Sequence, residues 1–328
     1  MDQLRAMRVF ASVIESGSFV GAAQALQLSP AVVTRLVAEL EDHLGARLIN
    51  RTTRRLALTE IGEAYLERAR QILTEVEEAE ALATQAAREP SGQVRVLSPP
   101  AFAVHQLAKH LPRFRARYPK VTIDLTVPGA VQAVDEAYDV SILMLGEAPR
   151  DADVIVRRLA RTEFVVCAAP EYLDRRGRPQ HPRELAGHDS LVPRSGGRAS
   201  EVFFQREVNG QVERIGLTPS QPALSTLHVD THYAAALAGL GIAGLPSFVI
   251  EDALLENALE RVLSEWRMFT MTIYAGLPTR KHIPARTRAF VDFLIETFGG
   301  EDRDPWLAAA GCETALPVSA QRERAARE

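Results

Sequence analysis

A cluster of arginines near the amino terminus is the clearest chemical feature of this 328-residue sequence. Residues 44–59 contain Arg47, Arg51, Arg54 and Arg55 and no acidic residue. The first 59 residues carry a net charge of +2, although the whole chain carries −4. Because guanidinium groups bind phosphate oxygens, this local excess predicts contact with a polyanion such as nucleic acid.

A second pattern, the glycines of residues 239–244, spells the G-x-G-x-x-G dinucleotide fingerprint. That motif needs a strand before it and a helix at its third glycine. Here an alanine-rich segment precedes the glycines and Leu245-Pro246 follows them. We interpret the pattern as a helix end followed by a strand, and we expect no nucleotide cofactor.

Two further patterns could suggest an enzyme. His228 and His232 are four residues apart, but a zinc site needs a third ligand and a helix that begins before His228, whereas Asp230 has the character of a helix cap. Residues 195–197, Ser-Gly-Gly, lack the preceding glycine of a nucleophile elbow and any placed partners. We therefore expect no metal, no cofactor and no enzymatic activity.

Composition places the chain among ordinary globular proteins. It is 46% hydrophobic, and its length predicts about two domains. No apolar run approaches the roughly 18 residues of a membrane span, and no secretory signal is present, so we expect a cytoplasmic protein without a membrane partner. The two cysteines, Cys167 and Cys312, are too far apart and too few for a disulfide framework or a zinc ribbon.

Three short helices are predicted before residue 45. Their expected ranges are 4–14, 19–26 and 30–44. Ser18 and Ser29 have the character of amino-terminal caps, and Pro30 suits a first helical position. Gly45 ends the third helix. Only a few residues separate the second and third helices, which is typical of a helix-turn-helix.

The third helix would then present its start to the DNA major groove. Its inner face would be Val33, Val37, Leu40 and Leu44. Arg35 can bind guanine through two hydrogen bonds, and Thr34 can donate or accept one. The residues that could reach base edges are Ser29, Pro30, Ala31, Thr34, Arg35 and Ala38. Three core helices with a solvated outer face remain the alternative.

Residues 48–58 predict two short strands joined by a turn, which would form a small wing. The wing would place polar and basic side chains against phosphates. Such contacts position a protein on DNA without specifying the base sequence. These residues are Arg51, Thr52, Thr53, Arg54 and Arg55.

The runs FASVIESGS, from Phe10, and AAQALQLSPAVVTRLVAELEDHLGARLINRTTRRLALTEIGEAYLERA, from Ala22, resemble the LysR-type transcriptional regulators. The resemblance is close to about residue 90 and looser to about Phe298. One departure is Leu36, where family members usually carry a polar residue, often Gln. We assign no base contact to that position.

The resemblance implies a multi-domain α+β fold. Residues 1–59 would form a winged helix-turn-helix, 60–89 a linker and dimerisation helix, and 90–300 an α/β effector-binding domain. That domain would have two subdomains, the second at roughly 163–267, like periplasmic binding proteins. Residues 301–328 would be a mobile tail.

The linker helix carries an apolar stripe at heptad-like spacing. Thr59 can cap the helix, which should run to about Arg88. The stripe packs either on the chain's own body or on a second copy, and the resemblance implies a homodimer or a dimer of dimers. Its members are Ile61, Tyr65, Ala69, Ile72, Val76, Ala79 and Ala83.

The remaining sequence alternates strands and helices, which predicts parallel strands in an α/β layer architecture. The expected strands cover residues 94–97, 121–127, 139–145, 164–169, 201–208, 223–227 and 268–275. The expected helices cover residues 102–118, 130–137, 231–238 and 285–298.

A ligand cleft should lie beyond the carboxyl ends of these strands. Arg194 would be the counter-ion for a carboxylate, and Leu245, Pro246 and Phe248 an apolar wall. The other candidate lining residues are Ser98, Pro100, Pro128, Gly129, Thr226 and His228. The sequence therefore predicts a regulator that binds double-stranded DNA and senses a small organic acid. An enzyme or solute-binding module with an appended helical domain is the alternative.

Overall fold

The computed structural model describes residues 2–52, 55–83, 89–146, 154–195, 198–199, 201–208, 210–219, 222–278 and 283–312. The chain divides into two compact units, residues 1–88 and 89–328. Among the described residues, no helix is long and apolar enough to span a membrane.

The amino-terminal unit is a three-helix bundle with a β-hairpin and a longer fourth helix. Its elements are α1 (Gln3–Glu15), α2 (Phe19–Ala25), α3 (Pro30–Leu44), β1 (Ile49–Thr52), β2 (Arg55–Leu58) and α4 (Glu60–Ala83). The Ser18 and Ser29 side chains accept hydrogen bonds from backbone N–H groups in the first turns of α2 and α3. Gly45 ends α3 with a φ of +64°. These caps confirm the predicted boundaries.

The core of this unit is formed by the inner faces of the helices. Phe10 of α1 packs there with Val33, Val37 and Leu40 of α3, all fully buried. Leu36 also belongs to this core, with 6% of its surface exposed. Its apolar side chain is therefore explained by packing, since a polar residue buried there would need a hydrogen-bonding partner.

Helix α4 closes the same core. Leu66, Ala69 and Leu73 are buried in it, and the Tyr65 ring lies 5.9 Å from that of Phe10. The prediction that Ala69 faces a second copy is wrong, because only 1% of its surface is exposed and its own helical bundle covers it.

The carboxy-terminal unit is built on one mixed sheet. Its strands are β3 (Gly92–Leu97), β4 (Val121–Thr126), β5 (Val140–Leu145), β6 (Ile155–Ala168), β7 (Ser190–Val192), β12 (Pro222–Ser225), β13 (Ile242–Pro246), β14 (Glu260–Arg261) and β15 (Thr270–Leu277). The strands follow the order β12-β7-β13-β6-β15-β5-β3-β4, with β14 also paired to β6. Separate hairpins are β8 (Arg194–Ser195) with β9 (Arg198–Ala199), and β10 (Val202–Val208) with β11 (Gln211–Leu217).

Parallel pairing joins β3 to β4 and β5, and β7 to β12 and β13, as the alternating pattern predicted. The 14-residue strand β6 runs between these two groups. It pairs antiparallel with β15 through Glu163 and then with β13 from Phe164. This is the crossing-strand arrangement of two subdomains.

Helices cover both groups of strands. They are α5 (Pro100–Phe102), a π-helical turn (Ala103–Leu107), α6 (Ala108–Arg117), α7 (Pro170–Arg176), α8 (Val229–Leu237), α9 (Ser247–Leu255), α10 (Ala285–Phe298) and α11 (Pro305–Ala309), with a 3-10 turn at Pro182–Gly187. Gly239 follows α8 with a φ of +70° and precedes β13, so the glycine pattern has the helix-then-strand order that we inferred.

The predicted helix over residues 130–137 is wrong. Val131 and Val134 have helical spacing, but they pack individually against the Tyr274 cluster from an irregular loop. The Asp135 carboxylate accepts a hydrogen bond from the Ala137 N–H at 2.9 Å. Such a local bond to the backbone competes with helix formation.

The expectation of a mobile tail from residue 301 is also wrong for residues 301–312, which are ordered. Asp304 caps α11, and Trp306 and Leu307 are buried in the main core. Residues 313–328 lie outside the described residues. Cys167 is fully buried, and burial raises the pKa of its thiol to about 12, whereas Cys312 is half-buried after α11.

Candidate nucleic-acid interface and effector cleft

The start of α3 presents an exposed face. Pro30, Ala31, Thr34 and Arg35 are exposed, as is the cap Ser29, and Ala38 is half-buried. The Arg35 side chain is 68% exposed and its Nε lies 3.6 Å from a Glu39 carboxylate oxygen. A surface ion pair of this kind is weak, so Arg35 can leave it for a base edge.

Thr34 and Glu39 modify what this face can recognise. The Thr34 hydroxyl donates its hydrogen to the Pro30 carbonyl at 2.9 Å, so it can still accept a hydrogen bond from a base but not donate one. Glu39 was missed by the sequence reasoning, although its position four residues after Arg35 was a signal. Its carboxylate can accept from the cytosine amino group.

The hairpin of β1 and β2 confirms the predicted wing in its backbone. Arg51 pairs with Leu56 and Thr52 with Arg55. Thr53 and Arg54 lie outside the described residues, as do the side chains of the three residues Arg51, Thr52 and Arg55. Their contacts with phosphate stay predictions.

The base of the wing is held by Glu41 of α3, which is only 3% exposed. Its Oε1 accepts from the N–H groups of Leu48 and Ile49 at 2.8 and 3.1 Å, and its Oε2 lies 3.1 Å from Arg47 Nη1. Burial would raise the pKa of Glu41, but these two N–H groups and the Arg47 guanidinium outweigh it and hold the pKa below its usual value. The sequence reasoning missed Glu41, whose only local signal was an acid beside the apolar stripe of α3.

Helix α4 holds the wing from the other side. The Thr59 hydroxyl donates to the Arg47 carbonyl at 2.7 Å and accepts from the Gly62 N–H at 2.9 Å, which confirms Thr59 as the cap. A Cβ at Gly62 would lie 2.0 Å from the Leu48 carbonyl oxygen. Only glycine permits this approach.

The apolar stripe of α4 is divided between two directions. Ile61 and Ile72 are 58% and 39% exposed, and Val76 is half-buried. Tyr65 and Ala69 belong instead to the core of their own unit. Ala79 and Ala83 are helical, but their side chains lie outside the description.

In the carboxy-terminal unit, helices α5, α8 and α9 contact one another. Within the described part of the chain, no side chain caps the starts of these helices, whose first flanking residues are Pro99, His228 and Pro246. Uncapped N–H groups and the helix dipole attract anions. The prediction that Asp230 caps α8 is wrong, because Asp230 lies within the first turn of the helix. Its carboxylate lies at hydrogen-bond distance, 2.9 Å, from His105 Nε2.

Several predicted lining residues flank these starts. Ser98 follows β3 but is fully buried, with its hydroxyl 3.2 Å from the Pro99 carbonyl. Pro128 is exposed after β4, beside the half-buried Gly129. After β12, the half-buried Thr226 accepts from the N–H of the exposed His228 at 3.1 Å. The half-buried Pro100 begins α5. The Arg194 side chain lies outside the description.

The predicted apolar wall is wrong. Leu245, Pro246 and Phe248 are buried, because β13 lies inside the sheet between β7 and β6 and its helix α9 packs onto the core. The Phe248 ring lies 5.5 Å from Phe102 and 5.7 Å from Trp306. These side chains belong to the hydrophobic core of the unit.

The two histidines of α8 do not converge. His228 is exposed, whereas His232 is 5% exposed and bonded to the Val192 backbone. Burial lowers the pKa of His232, which favours its neutral imidazole. The described residues include no group of three His, Cys, Asp or Glu side chains able to hold a metal ion.

Comparison with known proteins decides the family. The family description "Bacterial regulatory helix-turn-helix protein, lysR family" matches residues 4–63, and "LysR substrate binding domain" matches residues 87–299. The chain belongs to the LysR family. It is a DNA-binding transcriptional regulator with an effector-binding domain, not an enzyme.

Relatives align along almost their whole length. The transcriptional regulator CrgA of Neisseria meningitidis is 34% identical over 295 residues, covering 89% of this chain and 96% of its own. A transcriptional repressor of Pseudomonas aeruginosa is 32% identical over 299 residues, covering 91% and 93%. The structure of the Vibrio cholerae virulence activator AphB is 26% identical with a TM-score of 0.55, covering 90% and 99%. Since one relative is named a repressor and another an activator, the family does not set the direction of regulation.

Proposed function

We propose that this LysR-family chain is a dimeric regulator that reads duplex DNA through the start of α3 and the wing, and that its cleft senses a small carboxylate. One observation carries the DNA interface: Thr34 and Arg35 face solvent while their neighbours Leu36 and Val37 are buried. The polar face is therefore available without disturbing the core.

The DNA interface can be tested on fragments from upstream of the protein's own coding region. Affinity should fall steeply with salt, because arginines that bind phosphates release counterions. Arg35→Ala should lose about 1 to 3 kcal/mol of discrimination at one base position, whereas Arg54→Ala should weaken all sequences alike and flatten the salt response. Identical base preferences in both variants and the wild type would reject these roles.

The effector proposal is supported by the contacts among α5, α8 and α9, whose first residues carry no side-chain cap in the described part of the chain. Free N–H groups at helix starts suit a carboxylate, and Thr226 and Arg194 lie in the segments that follow β12 and β7. Calorimetric titration of the full chain with a panel of aromatic and aliphatic carboxylates tests it. A bound carboxylate should lose affinity in Arg194→Ala but not in Arg183→Ala, an exposed arginine on the 3-10 turn. Equal affinity in both variants would contradict the assignment.

The dimer proposal now depends on Ile61, Ile72 and Val76. Ile61→Asp with Ile72→Asp would place unpaired charges in the proposed interface, where desolvation is expensive. Sedimentation should show a monomer for this variant and a dimer for the control Glu63→Gln, which alters an exposed residue of the same helix. A dimer in both would place the interface elsewhere.

A further inference from the structure

Glu41 connects the helix that reads bases to the wing that contacts phosphates. We propose that Glu41 is a positioning residue that sets the wing against α3, so that both elements reach the duplex in one register. This inference rests on the proposed DNA interface and adds a residue that would not itself touch DNA.

The first step is the geometry at the wing base. One carboxylate oxygen of Glu41 accepts both the Leu48 and the Ile49 N–H, and Ile49 is the first residue of β1. The Glu41 carbonyl also accepts from the Ala46 N–H at 3.1 Å. Glu41 therefore binds the chain between α3 and the wing back onto α3 through both its side chain and its backbone carbonyl.

The second step is the distance to the reading face. Glu41 lies six residues after Arg35 on the same helix, which is about 9 Å along its axis. A helix of this kind moves as one body, so a shift of the wing relative to Glu41 is a shift relative to Arg35. Contacts to bases and to phosphates would then no longer be made together.

The third step is what holds the wing on its far side. Thr59 and Gly62 fix Arg47 and Leu48 to α4 through hydrogen bonds and close backbone contact. The wing base therefore lies between α4 and α3, and Glu41 provides the attachment to α3. Without that carboxylate, the wing would keep its link to α4 but lose its setting against the reading helix.

The experiment compares DNA binding by three variants of the full chain. Glu41→Ala removes every bond of the carboxylate, and Glu41→Gln keeps an oxygen for both N–H groups but loses the charge. Val9→Ala, a fully buried position in α1, controls for loss of stability without touching the wing.

Glu41→Ala should lower the slope of log affinity against log salt by at least about 0.9, the value of one phosphate contact. Its base preference at the Arg35 position should persist. Glu41→Gln should keep the wild-type slope, and so should Val9→Ala if its thermal stability equals that of Glu41→Ala. Where Glu41→Ala does not fold, Glu41→Asp, which is too short to reach both N–H groups, should show the lowered slope.

An unchanged slope in every folded Glu41 variant, or an equal loss in Val9→Ala, would overturn the positioning role while leaving the DNA interface intact. A wild-type protein without salt-dependent DNA binding would instead reject the proposed function itself. The two failures are therefore distinguishable in one set of titrations.

Discussion

Each unit of the chain contains a buried carboxylate that accepts hydrogen bonds from distant backbone, but the two have opposite pKa shifts. Glu41 binds the Leu48 and Ile49 N–H groups beside Arg47. Asp304 accepts from four donors and has no exposed surface. The pKa of Glu41 is lowered, whereas that of Asp304 is raised to about 6.

The environment of Asp304 explains the difference. Its Oδ2 accepts from the Glu163 N–H at 2.7 Å and the Ser247 hydroxyl at 2.6 Å, and its Oδ1 from the N–H groups of Trp306 and Leu307. Burial raises its pKa more than these donors lower it, and the nearby Glu163 carboxylate adds to the increase. For Asp304, the hydrogen bonds do not offset the effect of burial on the pKa. For Glu41, the two N–H groups and the Arg47 guanidinium do offset it.

The largest expected effect is that of Asp304→Ala. Four buried donors would lose their acceptor, so the carboxy-terminal unit should lose about 4 kcal/mol of unfolding free energy. Urea unfolding monitored by tryptophan fluorescence measures the loss, since Trp306 lies in this unit. The control variant Glu301→Ala, on an exposed carboxylate 3.1 Å from Arg303, should lose under about 1 kcal/mol. Equal losses would show that Asp304 is not an anchor.

The next effect is the pH dependence of the same unit. Folded Asp304 binds a proton near pH 6 and the unfolded chain only near pH 4, so the folded state gains stability as pH falls between these values. A shift of about two units corresponds to roughly 3 kcal/mol. The charged groups near Asp304 are Glu163 and Arg267, whose Nη1 lies 3.0 Å from Glu163 Oε2.

The measurement is the difference in unfolding free energy between the wild type and Asp304→Asn at pH 7 and pH 4.5. Wild type should gain relative to the variant as pH falls. The stability difference between the wild type and Glu41→Gln should change in the opposite direction. Glu41 stabilises the folded state above its unfolded pKa, and this stabilisation is lost as pH falls through its lowered folded pKa. Parallel slopes in the two units would break the contrast.

Glu41→Ala should have a smaller effect on its own unit. Two N–H groups lose their acceptor, which should cost about 2 kcal/mol, and Glu41→Gln should restore most of it. Hydrogen exchange at the Leu48 and Ile49 amides measures the local loss directly. Full protection of both amides in the alanine variant would show that other groups hold the wing.

The smallest effect is that of Arg47→Gln. The Arg47 side chain is 71% exposed, so its pair with Glu41 should contribute only a few tenths of a kcal/mol. Chemical denaturation gives the difference in unfolding free energy between the wild type and Arg47→Gln, and this difference should agree within about 0.5 kcal/mol in low and high salt. A loss above 1 kcal/mol would mean that the cation is as important to Glu41 as the backbone.

Local signals allowed much of the fold to be predicted. Ser18, Ser29 and Gly45 marked helix ends because capping depends on neighbours within a few residues, and the predicted helix at Ala285–Phe298 has its observed bounds. The LysR resemblance supplied the two units and the crossing strands. The outer face of α3 also followed from spacing, since the buried residues recur with the helical period.

Long-range contacts explain what was missed. Asp304 meets Ser247 and Glu163 across 57 and 141 residues, and nothing near it in the sequence predicts such partners. Leu245 and Phe248 were assigned to a cleft wall because an apolar run does not reveal that both sides are covered. The α4 stripe failed at Ala69 for a related reason, as periodicity gives a face but not its neighbour.

The positions of the two cysteines give this protein a practical advantage. The fully buried Cys167 should resist thiol reagents in the native state, whereas the half-buried Cys312 follows the end of α11, and its N–H donates to the Leu307 carbonyl at 2.8 Å. A maleimide dye or nitroxide should therefore attach at one position without mutagenesis. Such a label would report, in the unmodified sequence, whether the chain around α11 responds when DNA or a carboxylate binds.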